Sequence, residues 1–346
     1  MRGVEIPIGK TMARLTVGIP TYNRCAYLRE AMESALGQAF GDFHLLISDN
    51  GSTDGTENMV REYARGEKRI IYHRFPKNCG MARNLGHVLM SPDTEFVAIL
   101  PDDDLWLSHH LASALKALQN VPNAVLFACT AESFGKKAEQ QFHRPCWVNG
   151  SKSRYVTDTT RRFAPWLKES PVAAASVVFR GAARDQVTWY NDDSFGPRDW
   201  LFWGQIAMCG VTVFDPVVGA KYRWHEGNQS NDLMRGKMAI AQFRYVIRQL
   251  ATLALQKKAL DLAELIDEVV RVWAVGPAAT LVVALAALDT NPLLRKAALE
   301  IFHRRPEIRT SLQSTQHCRM ASRAGSWYLG IADGIDRLLG RWWQPA

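Results

Sequence analysis

Three adjacent carboxylates follow a short apolar stretch in the segment Leu100–Leu105 (LPDDDL). Like charges packed this closely repel one another, so they are tolerable only when they are solvated or neutralised by a cation. Mg²⁺ and Mn²⁺ prefer oxygen ligands and often bind through one or two carboxylates together with substrate phosphates. Asp102–Asp104 are therefore candidates for holding a metal-bound diphosphate. Alternatively, they form the acidic start of a helix beginning near Leu107, with Asp104 as its cap.

A second polar segment, Asp49–Gly55 (DNGSTDG), also follows an apolar stretch directly. These residue types form turns, which is one interpretation of the segment. The other is that Asp49 accepts hydrogen bonds from a ligand, for example from the N3–H of a uracil or thymine ring. The GxGxxG and GxxxxGK[ST] patterns are both absent from the sequence, which argues against dinucleotide-binding and P-loop proteins.

Apolar and polar stretches alternate in residues 15–130 at spacings typical of strands and helices. Strands are predicted at 15–20, 43–48, 69–73 and 95–100, and helices at 26–39, 56–65, 81–90 and 111–119. This alternation indicates βαβ units and a mainly parallel sheet flanked by helices, which is an α/β fold. Ligands of such sheets bind beyond the carboxyl ends of the strands. Residues 21–24, 49–53 and 102–104 follow three of these ends and are expected to form one site.

The rest of the chain has a different character. Residues 131–170 are polar and lack a clear period, so we expect a loop or irregular insertion there. Strands are predicted at 172–180 and 211–218, and helices at 197–209, 238–255, 259–273, 277–288 and 293–303. We place a domain boundary near residue 232. The first domain (1–232) has halves at about 13–130 and 131–232, and residues 233–346 form a basic helical extension.

The positive charge lies mainly in the C-terminal third. The net charge is +8, and residues 235–346 hold 16 Lys and Arg against 9 Asp and Glu. Such a surface is either simply solvated or attracted to an anionic membrane surface, lipid phosphate or glycan. No recognisable nucleic-acid-binding motif is present, so no nucleic acid partner is expected. The 17 uncharged residues Val272–Leu288 include Gly276–Pro277, and we favour a buried helix there over an interfacial one.

Cysteine and histidine placement supports no further site. Six cysteines are scattered without a CxxC pair, which argues against disulfides and zinc, and the start of the chain lacks an apolar signal segment. We therefore expect a cytoplasmic protein, with peripheral attachment to the inner membrane face as an option. His109 and His110 follow the acidic triplet and are expected to be exposed.

Taken together, the segments resemble a known family. VGIPTYNR (17–24), ISDNGSTDGT (47–56), CGMARNLG (79–86) and ILPDDDLW (99–106) resemble, in order and spacing, the nucleotide-binding half of inverting family 2 glycosyltransferases of the GT-A fold. PRDWLFWGQIAMCG (197–210) is similar to the acidic and aromatic helix of that family, and KYRWHEGNQS (221–230) to its Tyr-Arg-x-His segment. The resemblance covers about residues 15–230. It implies a GT-A-type nucleotide-diphospho-sugar transferase fold, here with a C-terminal helical extension.

The resemblance also implies residue roles. The residues assigned to the donor nucleotide are Pro20, Thr21, Tyr22, Asn23, Asp49 and Arg83, with Asp49 reading the pyrimidine. The residues assigned to the DXD-like metal site and the diphosphate are Asp102, Asp103 and His225, with Arg223 nearby. Asp103 is the favoured direct ligand, and Asp104 is adjacent and structural. Asp199 takes the position of the catalytic base, with Asp192 and Asp193 in reserve.

Two departures from the family pattern bear on these roles. Pro101 stands where the family often has the first Asp of Asp-x-Asp-Asp, so one possible metal ligand is missing. The base motif is often Glu-Asp, whereas here it is Arg198–Asp199. A cation beside Asp199 would lower its pKa and weaken it as a base if the two side chains meet.

The resemblance implies a metal-dependent inverting glycosyltransferase with Mn²⁺ or Mg²⁺ as cofactor. The donor would be a nucleoside-diphosphate sugar, with UDP favoured and dTDP next, and the acceptor a hydroxyl. The basic extension is compatible with a lipid-linked glycan acceptor in bacterial surface-polysaccharide assembly. The alternatives are a soluble natural-product acceptor and a catalytically dead sugar-nucleotide-binding protein. A nucleotidyltransferase is disfavoured, because the first strand is followed by Pro20-Thr-Tyr-Asn-Arg and not by a Gly-rich loop.

Overall fold

The computed structural model describes residues 4–5, 13–135, 142–143, 154–159, 166, 170–191, 193, 197–225, 227, 245–246, 249–250, 252–254 and 256. The chain divides into two compact units, residues 1–159 with 170–239 and residues 160–169 with 240–346. The predicted boundary near 232 stays a prediction. Within the predicted helix 238–255 the described positions are helical. The predicted helices 259–273, 277–288 and 293–303 lie outside the described residues.

The described part of the first unit is a sheet with helices. Its strands are β1 (Val4–Glu5), β2 (Leu15–Thr21), β3 (Phe43–Asp49), β4 (Ile70–Arg74), β5 (Phe96–Ile99), β6 (Leu105–Trp106), β7 (Ala124–Gly135), β8 (Phe142–His143), β9 (Tyr155–Asp158), β10 (Val177–Arg180) and β11 (Val211–Trp224). Its helices are α1 (Cys25–Leu36), α2 (Thr56–Gly66), α3 (Met81–Met90), α4 (His110–Asn120) and α5 (Arg198–Ala207). None of the helices in the described ranges is long and apolar enough to cross a membrane.

The sheet order is β1-β4-β3-β2-β5-β10-β7-β11-β6, with β8 beside β7 and β9 beside β11. Strands β4, β3, β2 and β5 run parallel, and Thr21 pairs with Asp49 at the carboxyl ends of β2 and β3. The predicted α/β fold is confirmed here. Parallel strands end at the same edge, so the polar segments after β2, β3 and β5 lie together as expected.

Continuous apolar runs in the central strands reflect burial on both faces. In β2 every residue except Pro20 is buried. Helix α3 packs closely on this strand at Gly18, where an added Cβ would lie 2.6 Å from the Cβ of Val88. The absence of a side chain at this position therefore lets the helix approach the sheet.

The second half of the sheet is mixed. Strand β10 lies antiparallel between β5 and β7, and β11 pairs in parallel with β7 over nearly its whole length. The expectation of a loop or irregular insertion at 131–170 is wrong in part, because β7 extends to Gly135 and because β8 and β9 are strands. These strands are specified by pairing with distant partners, which local periodicity does not reveal.

The start of α4 differs from the sequence prediction. The two-residue strand β6 follows Asp104 and pairs antiparallel with β11, so the helix begins only at His110 and Asp104 does not cap it. His110 is buried, which corrects the expectation that it is exposed. Its ring lies 4.7 Å from the Trp106 ring, and its Nδ1 lies 3.5 Å from Cys129 Sγ. Burial lowers the pKa of His110 to about 3 and raises that of the Cys129 thiol to about 12.

Candidate active site

Two carboxylates and a guanidinium form the centre of the site. The turn after β2 carries Arg24, and the segment after β5 carries Asp102 and Asp103. Nη1 of Arg24 donates to Asp102 Oδ1 at 3.0 Å and to Asp103 Oδ2 at 2.7 Å. The same guanidinium donates through Nη2 to the Gly227 carbonyl at 3.1 Å. Arg24 thus joins three segments that are far apart in the sequence.

Asp102 is the buried member of the carboxylate pair. Its second oxygen, Oδ2, accepts a hydrogen bond of 2.7 Å from the Thr21 hydroxyl. Burial raises the pKa of Asp102 to about 6, although the positive charge of Arg24 opposes this shift. Hydrogen-bond donors from β2 and from the turn that follows it hold the carboxylate and stabilise its ionised form.

Asp103 faces His225. The Nε2 atom of His225 lies 2.9 Å from Asp103 Oδ2, the same oxygen that receives Arg24. The imidazole is stacked on Tyr27 of α1, with 5.2 Å between the ring centroids. The structure therefore brings together four of the residues assigned from the sequence, Thr21, Asp102, Asp103 and His225.

Asp104 and Arg223 fix the backbone next to this centre. Asp104 is buried, and its Oδ1 accepts the backbone N–H of Arg223 at 2.9 Å, which confirms its structural role. The Arg223 guanidinium donates to the Asp103 carbonyl at 2.8 Å and to Glu30 at 2.6 Å. It also lies between the rings of Tyr27 and Phe134, at 4.9 and 4.4 Å. Arg223 positions the 102–104 segment, and its direct contact with a donor stays a prediction.

Asp49 is completely buried at the end of β3. Its Oδ1 accepts the backbone N–H of Ser52 at 2.8 Å, and its Oδ2 accepts the Tyr72 hydroxyl at 2.6 Å. Arg74 lies 3.6 Å from Oδ2 through its Nε. Because the carboxylate is completely buried, a nucleobase could reach it only if surrounding atoms moved. The role of Asp49 in reading the pyrimidine stays a prediction under that condition.

The turn after β2 is tied to the loop after β3. Asn23 has a positive φ of 51°, a conformation that Asn tolerates better than most residues. Its N–H donates to Ser52 Oγ at 2.9 Å, and its side-chain oxygen accepts the Thr53 N–H at 2.8 Å. Pro20 is half-buried in β2, whereas Tyr22 is 41% exposed. Tyr22 is thus free to contact a ligand, while Asn23 holds the backbone of both loops.

Asp199 lies in the first turn of α5 and is half-buried. Burial is the largest influence on its pKa and raises it above the ordinary aspartate value, whereas the charge of Arg198 lowers it. The charge of Arg198 therefore does lower the pKa of Asp199, as the sequence suggests, but burial raises this pKa by more. A raised pKa suits a general base, because a stronger base removes a proton more readily.

The other assigned residues lie around α3. Asp193 accepts the backbone N–H of Ala82 at 2.7 Å and so caps this helix. Asp192 lies outside the described residues. Arg83 is exposed on α3, with its guanidinium carbon 5.6 Å from the centre of the Phe75 ring. The structure ties neither Asp193 nor Arg83 to the Asp102–Asp103 centre in the contacts of the described residues.

The donor set at the centre fits a divalent cation. No group of three His, Cys, Asp or Glu side chains in the described ranges is already arranged to hold a metal. Asp103 and His225 nevertheless meet at 2.9 Å, and Asp102 is joined to Asp103 through Arg24. A carboxylate pair with an imidazole suits Mn²⁺ or Mg²⁺, whose remaining ligands are usually phosphate oxygens and water.

The sequence analysis places Arg24 at the site, within residues 21–24, but gives it no role of its own. Its position beside the predicted acidic cluster at one sheet edge was a usable signal for such a role. The sequence analysis misses Tyr72, because nothing in the sequence of a predicted strand shows that its tyrosine contacts a distant carboxylate.

A comparison with protein families decides the assignment. The model of the family Glycosyl transferase family 2 matches residues 16–201. The chain belongs to this family. The matched range contains Arg24, Asp102, Asp103 and Asp199. Residues 16–201 are therefore a family 2 glycosyl transferase domain.

Similar proteins include bacterial glycosyltransferases. "Uncharacterized glycosyltransferase RT0329" of Rickettsia typhi is 22% identical over 218 residues, 63% of this chain and 66% of that protein. "Succinoglycan biosynthesis protein ExoW" of Rhizobium meliloti is 37% identical over 110 residues, 31% of this chain and 34% of that protein. "GalNAc(5)-diNAcBac-PP-undecaprenol beta-1,3-glucosyltransferase" of Campylobacter jejuni is 30% identical over 130 residues, 37% of this chain and 42% of that protein. The chain thus spans less than two thirds of the length of each of these relatives.

Solved structures share the fold. TarS 1-349 of S. aureus, solved with UDP-GlcNAc, has a TM-score of 0.54 at 16% identity, over 84% of this chain and 89% of that chain. The mannosyltransferase PcManGT of Pyrobaculum calidifontis, solved with GDP-Man and Mn²⁺, has a TM-score of 0.53 at 19% identity, over 95% and 88%. These similarities confirm the predicted GT-A-type architecture.

Proposed function

We propose that this glycosyltransferase moves a sugar from a nucleoside diphosphate to an acceptor hydroxyl with inversion, and that the reaction requires a divalent metal. The observation that carries the proposal is the convergence of Asp102, Asp103 and His225 at the carboxyl edge of the parallel strands. The mannosyltransferase PcManGT was solved with Mn²⁺, which supports a metal in this fold.

The geometry supports a division of labour within the site. Asp103 and His225 would hold the metal together with Asp102, and Thr21 would keep the buried Asp102 carboxylate in place through its hydroxyl. When bound, the metal would stabilise the negative charge of the departing diphosphate. Tyr22, Asp49 and Arg83 would surround the nucleotide.

Asp199 would act as the base. The acceptor oxygen forms a bond to the anomeric carbon while the bond from this carbon to the diphosphate oxygen breaks. The acceptor proton passes to the Asp199 carboxylate. Attack from the face opposite the leaving group accounts for the inversion.

The identity of the nucleobase in the sugar donor can be tested directly. We favour UDP, with dTDP next, because a carboxylate at position 49 can accept the N3–H of uracil or thymine. Similar structures hold UDP-GlcNAc in one case and GDP-Man in the other, so the fold does not distinguish the bases. The experiment is a thermal-shift screen of UDP, dTDP and GDP, each with Mn²⁺, Mg²⁺ or EDTA.

One diphosphate is expected to stabilise the protein in the presence of metal only. At 100 times the dissociation constant the stabilisation is about 2.7 kcal/mol, which a melting curve resolves easily. Asp103→Asn should abolish the metal-dependent part of the shift. Asp93→Asn, at a fully exposed aspartate, is the matched control. Equal shifts in metal and EDTA, unchanged by Asp103→Asn, would refute the metal requirement.

For the acceptor we infer a lipid-linked glycan of bacterial surface-polysaccharide assembly. The names of the Campylobacter jejuni and Rhizobium meliloti relatives refer to an undecaprenol-linked glycan and to succinoglycan biosynthesis. The 16 Lys and Arg against 9 Asp and Glu in residues 235–346 favour an anionic membrane surface. A peripheral location at the inner membrane face follows from this proposal.

Sedimentation with liposomes tests the membrane part. The full chain should pellet with phosphatidylglycerol vesicles at low salt and be released as salt rises, because screening weakens surface charge attraction. Phosphatidylcholine vesicles are the control. Equal, low pelleting with both lipids would favour a soluble natural-product acceptor instead. Absence of both transfer and donor hydrolysis would favour the catalytically dead sugar-nucleotide-binding protein.

A further inference from the structure

Arg24 lies where a cation between Asp102 and Asp103 would be expected. One nitrogen, Nη1, donates to both carboxylates, at 3.0 and 2.7 Å. Asp103 Oδ2, which receives the shorter of these bonds, is also the oxygen that faces His225 at 2.9 Å. The guanidinium and a metal bound by Asp103 and His225 would therefore compete for the same oxygen.

The carboxylates need a counter-charge when no metal is present. The side chains of Asp102 and Asp103 are only 7% and 13% exposed, and two adjacent, poorly solvated carboxylates repel each other strongly. Arg24 supplies one positive charge, whereas a divalent cation supplies two. Arg24 itself is partly exposed, at 28%, so its side chain has room to leave.

We propose that Arg24 is a built-in counter-cation of the Asp102–Asp103 pair, which holds the carboxylates together in the metal-free state and which a divalent cation displaces. The inference rests on the metal-dependent function proposed above. Displacement would also break the Arg24 bond to the Gly227 carbonyl, which links metal binding to the segment after β11.

The test measures Mn²⁺ binding by the full chain without any nucleotide, using electron paramagnetic resonance of free Mn²⁺. Arg24→Gln removes the competing charge and should lower the dissociation constant for Mn²⁺ by roughly tenfold, the equivalent of about 1.4 kcal/mol. The control is Arg29→Gln, at an exposed arginine on α1, the helix that follows Arg24, and it should leave the affinity unchanged. Adding Asp103→Asn to Arg24→Gln should remove the gain.

Melting curves provide a second readout that also monitors folding. In EDTA, Arg24→Gln should melt below the wild type, because its carboxylates lack a counter-charge. Mn²⁺ should raise its melting temperature by more than it raises that of the wild type. Unchanged or weaker Mn²⁺ affinity in Arg24→Gln, with the wild type binding normally, would overturn the inference and leave the proposed function intact. Failure of both proteins to bind Mn²⁺ would refute the metal site itself, and the inference with it.

Discussion

At the scale of single residues, the environment of a carboxyl group decides its chemistry. Burial raises the pKa of Asp199 although Arg198 is its neighbour in sequence, while Asp193 is engaged in capping α3. Asp199 is therefore better suited to accept a proton than Asp193, the described member of the reserve pair. The pKa of Asp102 is raised as well, but its two oxygens already accept hydrogen bonds from Thr21 and Arg24.

Asp199→Asn should lower the transfer rate by about 10²–10⁴-fold, the usual contribution of a general base. Donor binding, measured as the thermal shift with nucleotide and metal, should be preserved. In the wild type, the raised pKa should move the acidic limb of the rate above the pH range of an ordinary aspartate, since the base acts only when deprotonated. Asp185→Asn, at an exposed aspartate, should change nothing. Near-normal turnover in Asp199→Asn would show that another group is the base.

At the scale of elements, the pairing of β3 with β4 determines the surroundings of Asp49. Asp49 pairs with Arg74 in the register of these parallel strands, and Ile47 pairs with Tyr72. Side chains two residues apart on a strand point to the same face, so Tyr72 and Arg74 both reach the Asp49 carboxylate. The position of the Asp49 carboxylate is therefore fixed jointly by β3, by β4 and by the loop between Asp49 and Thr56.

Tyr72→Phe should destabilise the protein by about 1–3 kcal/mol, because it removes a donor from a buried carboxylate. It should also weaken binding of the preferred nucleoside diphosphate if Asp49 contacts the base. Tyr63→Phe is the matched control, since the Tyr63 hydroxyl donates to Glu33 at the surface and its loss costs little. The measurements are melting temperature and nucleotide dissociation constant. A variant that matches the wild type in both would show that Asp49 does not depend on Tyr72.

At the scale of the whole molecule, the buried His110 and the half-buried His87 make stability depend on pH. Burial lowers the pKa of His110 to about 3 and that of His87 to about 4, whereas an exposed histidine in the unfolded chain has a pKa of about 6.5. Below about pH 6.5 the unfolded chain therefore binds protons at these histidines that the folded chain does not bind. As a result, the folded state loses stability as the pH falls. The raised pKa of Asp102, about 6, acts in the opposite direction as pH falls from about 6 towards 4.

His110→Phe isolates the histidine contribution. Between about pH 6 and 4 the wild type should lose about 1.4 kcal/mol per pH unit more than the variant, because unfolding of the wild type takes up one proton, at His110, that unfolding of the variant does not. Phe keeps the ring against Trp106 and cannot be protonated. The measurement is melting temperature across this pH range, with His44→Gln, at a half-buried histidine in β3, as the control. Parallel pH profiles of wild type and His110→Phe would contradict a neutral, buried His110.

The sequence by itself determined the order of strands β2 to β5 and helices α1 to α4, and the polar segments at one sheet edge, but it revealed neither β6 nor the start of β7. Apolar periodicity is a local property, and the rule that parallel strands share an edge needs no register. Only the tertiary structure decided that Arg24 bridges Asp102 and Asp103, 78 and 79 residues away, and that Asp104 holds the backbone of Arg223, 119 residues away. It alone placed Tyr72 on Asp49, buried His110, and extended β7 along β11. Such contacts depend on long-range strand pairing and on burial, which no short stretch of sequence encodes.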